Sequence, residues 1–219
     1  MLGAAIGEEE APPMGATPLR CRDLAAGDIL LKASDGSAVS KAIQLGQSVM
    51  GGKNAGVVHA GVMFDKTCVI EAQGGGILAH DLRVQNRDYG YYVFRCAQVN
   101  MARGAGTCAK MMFDIHNRGG NLGYSLGGAI GSLFGGKGNA ASRDEMDALL
   151  DRILDGKNQR FFCSQFVVYV YQFVAEQCGV AAQTVFKMSD AKANPSVLAA
   201  SLAGRALFKE QGYLMPRER

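Results

Sequence analysis

The segment from Cys163 to Gly179 constrains this chain most. It is apolar on nearly every side, with Phe166, Val167, Val168, Val170, Phe173 and Val174 broken only by Tyr169, Tyr171 and Gln172. A helix that is apolar all round has to be buried. The other elements must therefore be built around it, with Gly179 as its stop. Cys163 falls in its first turn. A helix N-terminus carries partial positive charge and free N–H groups, which favour a thiolate. A thiolate there becomes a nucleophile if a histidine can reach it.

The chain has three histidines, His59, His80 and His116. His59 lies within Val57 to Phe64, a run of β-formers that predicts a strand and would hold a general base rigidly. Asp65-Lys66-Thr67 predicts a turn, and Cys68 to Ala72 the returning strand. If Phe64 pairs with Cys68 across a three-residue loop, His59 pairs with Gln73. Glu71 then shares the face of His59 on the diagonal, at about 7–8 Å between Cα atoms. A glutamate there can accept a hydrogen bond from the imidazole and fix its tautomer. A loop one residue shorter would put Glu71 on the opposite face. His80 and His116 are read as surface or structural residues.

Other elements follow from pattern. Ala26-Gly27-Asp28 predicts a turn into a strand at Ile29 to Leu31, and further strands are expected at Ile77 to Leu82 and Tyr91 to Cys96. Helices are predicted at Ser37 to Met50, Ala102 to Asn117, Ser142 to Leu154 and Pro195 to Leu207. Ser142 and Glu145 form a capping box, and Asn194-Pro195 fits a cap followed by proline in the first turn. Residues 1–17 are rich in Gly, Pro, Ala and Glu and are expected to form a disordered tail, with one domain over 18–219. Nine glycines fall among the twenty residues from Gly119 to Gly138. No G-x-x-x-x-G-K-[ST] pattern is present there, so it is not a phosphate loop. It is a surface loop, a groove lining, or an apolar stripe that touches membrane.

Composition narrows the function. A net charge of +3 and no basic stripe interleaved with aromatics argue against a nucleic-acid partner. None of the six cysteines forms a C-x-x-C pair, which argues against a structural zinc. A 219-residue chain with 48% hydrophobic residues can build a full core without disulfide staples, so reduced, mostly buried thiols are expected. Met1 to Gly7 lacks the Lys or Arg of a secretory signal, and no run reaches the roughly 18 apolar residues of a membrane span. Synthesis as a soluble cytoplasmic protein is expected, with no metal, no cofactor and a monomeric state.

Four short motifs occur in order: Ala26-Gly27-Asp28-Ile29-Leu30, Val58-His59-Ala60-Gly61-Val62, Val69-Ile70-Glu71-Ala72 and Phe161-Phe162-Cys163-Ser164-Gln165-Phe166. Together they resemble the circularly permuted branch of the NlpC-type papain-like cysteine hydrolases, which includes lecithin–retinol acyltransferase relatives. The resemblance spans about residues 24–175. It implies an α+β, permuted papain-like fold: an antiparallel sheet packed on a central helix that carries the cysteine at its N-terminus. It makes Cys163 the nucleophile, His59 its base and Glu71 the polar third residue. Tyr124 matches loosely an assisting tyrosine. The N–H groups near Cys163 and Ser164 are then placed to stabilise an oxyanion. The chain departs from the pattern in Tyr124-Ser125 where Tyr-Asp is common, in Cys-Ser-Gln where Cys-Ser-Glu is common, and in its glycine-rich insert.

The resemblance implies an amide hydrolase, acting foremost on peptidoglycan peptides. Without a signal, such an enzyme would be an antibacterial effector moved by a secretion machine to a target-cell periplasm, with an immunity protein in the producer. The alternatives are a phospholipase or acyltransferase acting on membrane lipids, and a non-catalytic binding module. The lipid branch tends to carry a second histidine at the third position, so Glu71 tilts the reading toward amides.

Overall fold

The computed structural model describes residues 16–34, 56–73, 76–117, 163–187, 193–203 and 205–217. These form strands β1 (Pro18–Leu19), β2 (Ile29–Ala33), β3 (Val57–Met63), β4 (Cys68–Gln73), β5 (Gly76–Asp81), β6 (Tyr91–Cys96) and β7 (Phe208–Leu214). The helices are α1 (Val99–Asn117), α2 (Cys163–Gln177), the short α3 (Ala182–Val185) and α4 (Pro195–Ala203). The fold is α+β. Its seven strands make one sheet in the order β1-β7-β6-β2-β3-β4-β5.

The sheet is mixed rather than antiparallel throughout. Every neighbouring pair is antiparallel except β1 and β7, which run parallel with Pro18 opposite Tyr213 and Leu19 opposite Leu214. Neither β1 nor β7 is predicted from sequence. β1 is too short to carry a period, and β7 begins at Phe208, directly after the expected end of the last helix. That helix stops at Ala203 instead of Leu207. Its start follows the expected cap, since the Val197 N–H donates to Asn194 Oδ1 at 2.9 Å. Gly212 in β7 has φ +144° because the Thr17 carbonyl passes where a Cβ would sit.

The expected central helix is in place. On α2, Phe166, Val167, Val168, Val170, Tyr171 and Val174 are fully buried. Each such side chain contributes roughly 1.5–3 kcal/mol by leaving water. They join α1 and the sheet residues Ile29, Leu31, Ala60, Val62, Ile70 and Ala72 in the larger core. The Tyr171 hydroxyl, isolated in that core, donates to the Gly27 carbonyl. Alternation along the strands builds a second, smaller core from Leu30, Met63, Val69, Tyr91, Val93 and Leu214, closed by Leu82, Cys21 and Leu24.

The hairpin of β3 and β4 adopts the three-residue register. Gly61 lies opposite Glu71, Val62 opposite Ile70 and Met63 opposite Val69. The Phe64 N–H donates to the Cys68 carbonyl at 2.9 Å. Asp65 holds the loop, because its Oδ1 accepts from the N–H groups of Thr67 (2.7 Å) and Cys68 (2.8 Å). All six cysteines are free thiols. No helix among the described residues is long and apolar enough to cross a membrane. Residues 1–15 of the expected tail 1–17, the predicted helices at 37–50 and 142–154, and the glycine-rich stretch 119–138 lie outside the described residues, while the Thr17 carbonyl accepts from the Tyr213 N–H at 2.8 Å.

Candidate active site

Three strands bring three titratable side chains to one face of the sheet. The pairing of Gly61 with Glu71 and then Leu78 puts β3, β4 and β5 in step. His59, two residues before Gly61, shares the face of Glu71. His80, opposite Val69, shares it too. The His59 Nε2 lies 2.8 Å from Glu71 Oε2, so that nitrogen carries the proton toward the carboxylate and leaves Nδ1 to face other partners. One such partner is Cys163, which lies close enough at the head of α2 to bear on the His59 protonation. The cysteine at the head of the buried helix and the histidine in the strand therefore meet. Glu71 stands behind the histidine as the register argument requires.

Glu71 is only 2% exposed, yet its carboxylate is well satisfied. Oε2 accepts from Gln73 Nε2 at 3.2 Å as well as from His59. Oε1 accepts from Asn86 Nδ2 at 2.8 Å. His80 Nδ1 lies 3.6 Å from Oε2, an ion-pair contact longer than a hydrogen bond. Gly61 makes room for this arrangement. A Cβ on Gly61 would come within 2.6 Å of Val69 Cγ2 and 3.0 Å of Glu71 Cγ.

The electrostatics follow from this packing. Burial by itself would lower the His59 pKa. The charge and hydrogen bond of Cys163, then those of Glu71, outweigh it and raise the value from 6.5 to about 10. Burial would likewise raise the Glu71 pKa, but the His59 hydrogen bond and the charges of His59 and His80 hold it down at about 2. Glu71 raises His80 in turn, against partial burial. The site thus sets an imidazole between a buried carboxylate and a cysteine sulfur. Such an order can generate a nucleophile and keep its base oriented.

The remaining predicted residues divide. Ser164 is buried, and its hydroxyl donates to the Ala193 carbonyl at 2.6 Å, tying the first turn of α2 to the approach to α4. That side chain is therefore a structural tie. Its backbone N–H stays at the helix start. Tyr124 lies outside the described residues. His116 sits away from the cluster, with its ring against Gly76, where a Cβ would come within 2.0 Å of Nε2.

Sequence reasoning passed over three neighbours of Glu71. His80 is not a bystander: it is an ion-pair partner of Glu71. A signal for it existed, because a two-residue connection at Gly74-Gly75 pairs Gln73 with Gly76 and so aligns His80 with Val69. Gln73 was legible by simple alternation from Glu71. Asn86 was not legible, because it comes from the loop after β5 and no pattern links it to β4. Among the described residues, no group of three or more His, Cys, Asp or Glu side chains is placed to hold a metal ion.

No family model, curated protein or solved structure matches this chain.

Proposed function

We propose that the protein is a cysteine hydrolase of permuted papain-like architecture that cleaves amide bonds through an acyl-thioester on Cys163. The observation that carries this reading is the His59 ring bonded to buried Glu71 at 2.8 Å, with Cys163 at the head of α2 close enough to bear on that ring. The order of elements supports it as well, with a histidine strand and a carboxylate strand preceding a buried helix that opens on cysteine.

In this mechanism His59 holds the proton taken from Cys163, and the thiolate attacks the substrate carbonyl carbon. The C–N bond breaks as His59 returns the proton to the departing amine, leaving an acyl-thioester. Water, deprotonated by His59, attacks the thioester, and Cys163 leaves with the acid as product. N–H groups at the start of α2 are positioned for the oxyanion of each tetrahedral intermediate. Glu71 keeps the imidazole in one tautomer and stabilises its charged form. Peptide amides of peptidoglycan are the proposed substrate class.

One observation favours a second reading, hydrolysis or transfer of lipid acyl groups. His80 stands beside Glu71, so the site holds a second histidine near the third position as well as the glutamate. A single experiment separates the two readings. Wild type and Cys163→Ala are incubated with purified peptidoglycan and with phospholipid vesicles, and products are identified by mass spectrometry. Cysteine-dependent muropeptide cleavage is expected. Cysteine-dependent fatty-acid release would transfer the protein to the lipid reading. No cysteine-dependent product from either would overturn both.

A further inference from the structure

Asn86 is an unusual residue for a surface loop. It belongs to the polar stretch between β5 and β6, yet it is only 6% exposed. The loop that carries it is wound tightly onto one carbonyl. The N–H groups of Val84, Gln85 and Asn86 all approach the Asp81 oxygen, at 3.1, 3.0 and 3.4 Å. Gln85 Oε1 accepts from the Asp81 N–H at 2.8 Å, and Asp81 Oδ1 accepts from the Arg83 N–H at 2.7 Å. The amide that this loop drives inward donates to Glu71 Oε1 at 2.8 Å. The buried Tyr91 stands close enough for this amide to bear on its hydroxyl.

Building on the proposed cysteine-hydrolase reading, we infer that Asn86, held by its wound loop, is the positioning residue that locks Glu71 against the His59 Nε2. The choice of a neutral amide matters. A cation on Oε1 would compete with His59 for the carboxylate charge, and a second carboxylate would repel it. An amide satisfies Oε1 without either effect and leaves Oε2 for the imidazole. An unsatisfied buried carboxylate oxygen would instead rotate the group toward other donors. Gln73 and His80 both stand within reach. Asn86 therefore acts on the chemistry through Glu71 and touches neither Cys163 nor His59.

The charged and titratable groups around the pair come from four elements. Cys163 faces His59 from α2, His80 faces Glu71 from β5, and the Tyr91 hydroxyl lies behind Asn86 on β6. Lys32 on β2 is opposite His59 in register, and its ammonium sits over the Tyr89 ring.

The test is an NMR titration of the His59 imidazole in the full chain with labelled histidine, assigned by His59→Gln. In wild type His59 is expected to stay charged well above neutrality. Asn86→Ala is expected to lower its proton affinity about tenfold, the effect of losing one hydrogen bond to a charged group. Tyr91→Phe keeps the ring in the smaller core and should move His59 the same way by less. A merely structural Asn86 would change stability without moving this titration. If wild-type His59 titrates high and folded Asn86→Ala leaves it there, the inference is overturned while the cysteine-hydrolase reading stands. If Asn86→Ala does not fold, Tyr91→Phe decides: a lowered His59 supports the inference and an unchanged one overturns it. If wild-type His59 titrates near 6.5 and Cys163→Ala does not change it, the catalytic reading and this inference fall together.

Discussion

Two carboxylates are buried near each other in sequence motifs but serve different ends. Asp28, at the turn before β2, is 0% exposed and takes a two-pronged ion pair from Arg95, with Nε to Oδ1 at 2.8 Å and Nη2 to Oδ2 at 2.6 Å. The Ala25 N–H adds a third bond at 2.8 Å. Gly27 beside it has φ +83°, and a Cβ there would overlap the Ala102 carbonyl. This corner is clamped by a permanent charge. Glu71 is buried almost as deeply, but its charged partners are imidazoles, which titrate. A guanidinium keeps its proton and so can only hold structure. An imidazole can hand its proton on, so in the proposed mechanism the second carboxylate is coupled to chemistry. The partner's pKa, more than burial, separates a fastener from a catalytic group.

The largest expected effect falls on the second region alone. Cys163→Ala and His59→Ala should each cost at least about a thousandfold in turnover, because nucleophile and base act as a unit. Both should stay folded by circular dichroism. A Cys163→Ala protein with undiminished product release would remove the distinction between the two carboxylates.

Next comes the first region. Arg95→Met leaves Asp28 charged and buried without its partner, which should cost about 3 kcal/mol or more. The urea midpoint should fall with an unchanged slope, while the His59 titration stays put. A shift in His59 would mean that the two corners are not independent.

Glu71→Gln keeps the shape of the site and removes the charge. Turnover should fall about a hundredfold, less than for Cys163→Ala, since His59 loses its orienting carboxylate but keeps Cys163. Gly61→Ala sharpens the point further, because the added Cβ presses on Val69 and on Glu71 Cγ. It should cost about 1–3 kcal/mol in stability and lower turnover by shifting Glu71 from His59.

The smallest effect is on stability against pH. Glu71 is held below its ordinary value, so its contribution is present above about 4.5 and is lost as pH falls through about 2. His59 is raised, so its contribution is complete below 6.5 and is lost as pH rises through about 10. The melting temperature should therefore decline across the alkaline window, and Glu71→Gln should reduce that slope. Arg95 does not titrate there, so the Asp28 corner should add nothing to it.

Much of the site was legible from residue order. A cysteine opening an all-apolar segment, a histidine in a β-run and a glutamate seven residues past the end of that run were enough to place Cys163, His59 and Glu71. The hairpin register rests on Asp65, whose side chain closes the three-residue loop. Local chemistry decides such a loop, and alternation then decides which side chains share a face. The strands β1 and β7 were not legible. β7 was hidden because Leu207 extends the apolar pattern of α4 beyond Ala203, and only pairing with β6 and β1 makes the following residues a strand.

By itself the sequence determined the burial of α2 and the β3–β4 hairpin, because these depend on spacing along a few residues, while the structure chose between the two registers and so the face that His59 and Glu71 share. Only the tertiary structure decided which groups surround Glu71. Asn86 arrives from fifteen residues away and His80 from the next strand, and Arg95 reaches Asp28 across sixty-seven residues. Those contacts follow from how the loops close and how the sheet is ordered. No local period records them, because a buried carboxylate selects its donors by distance in space.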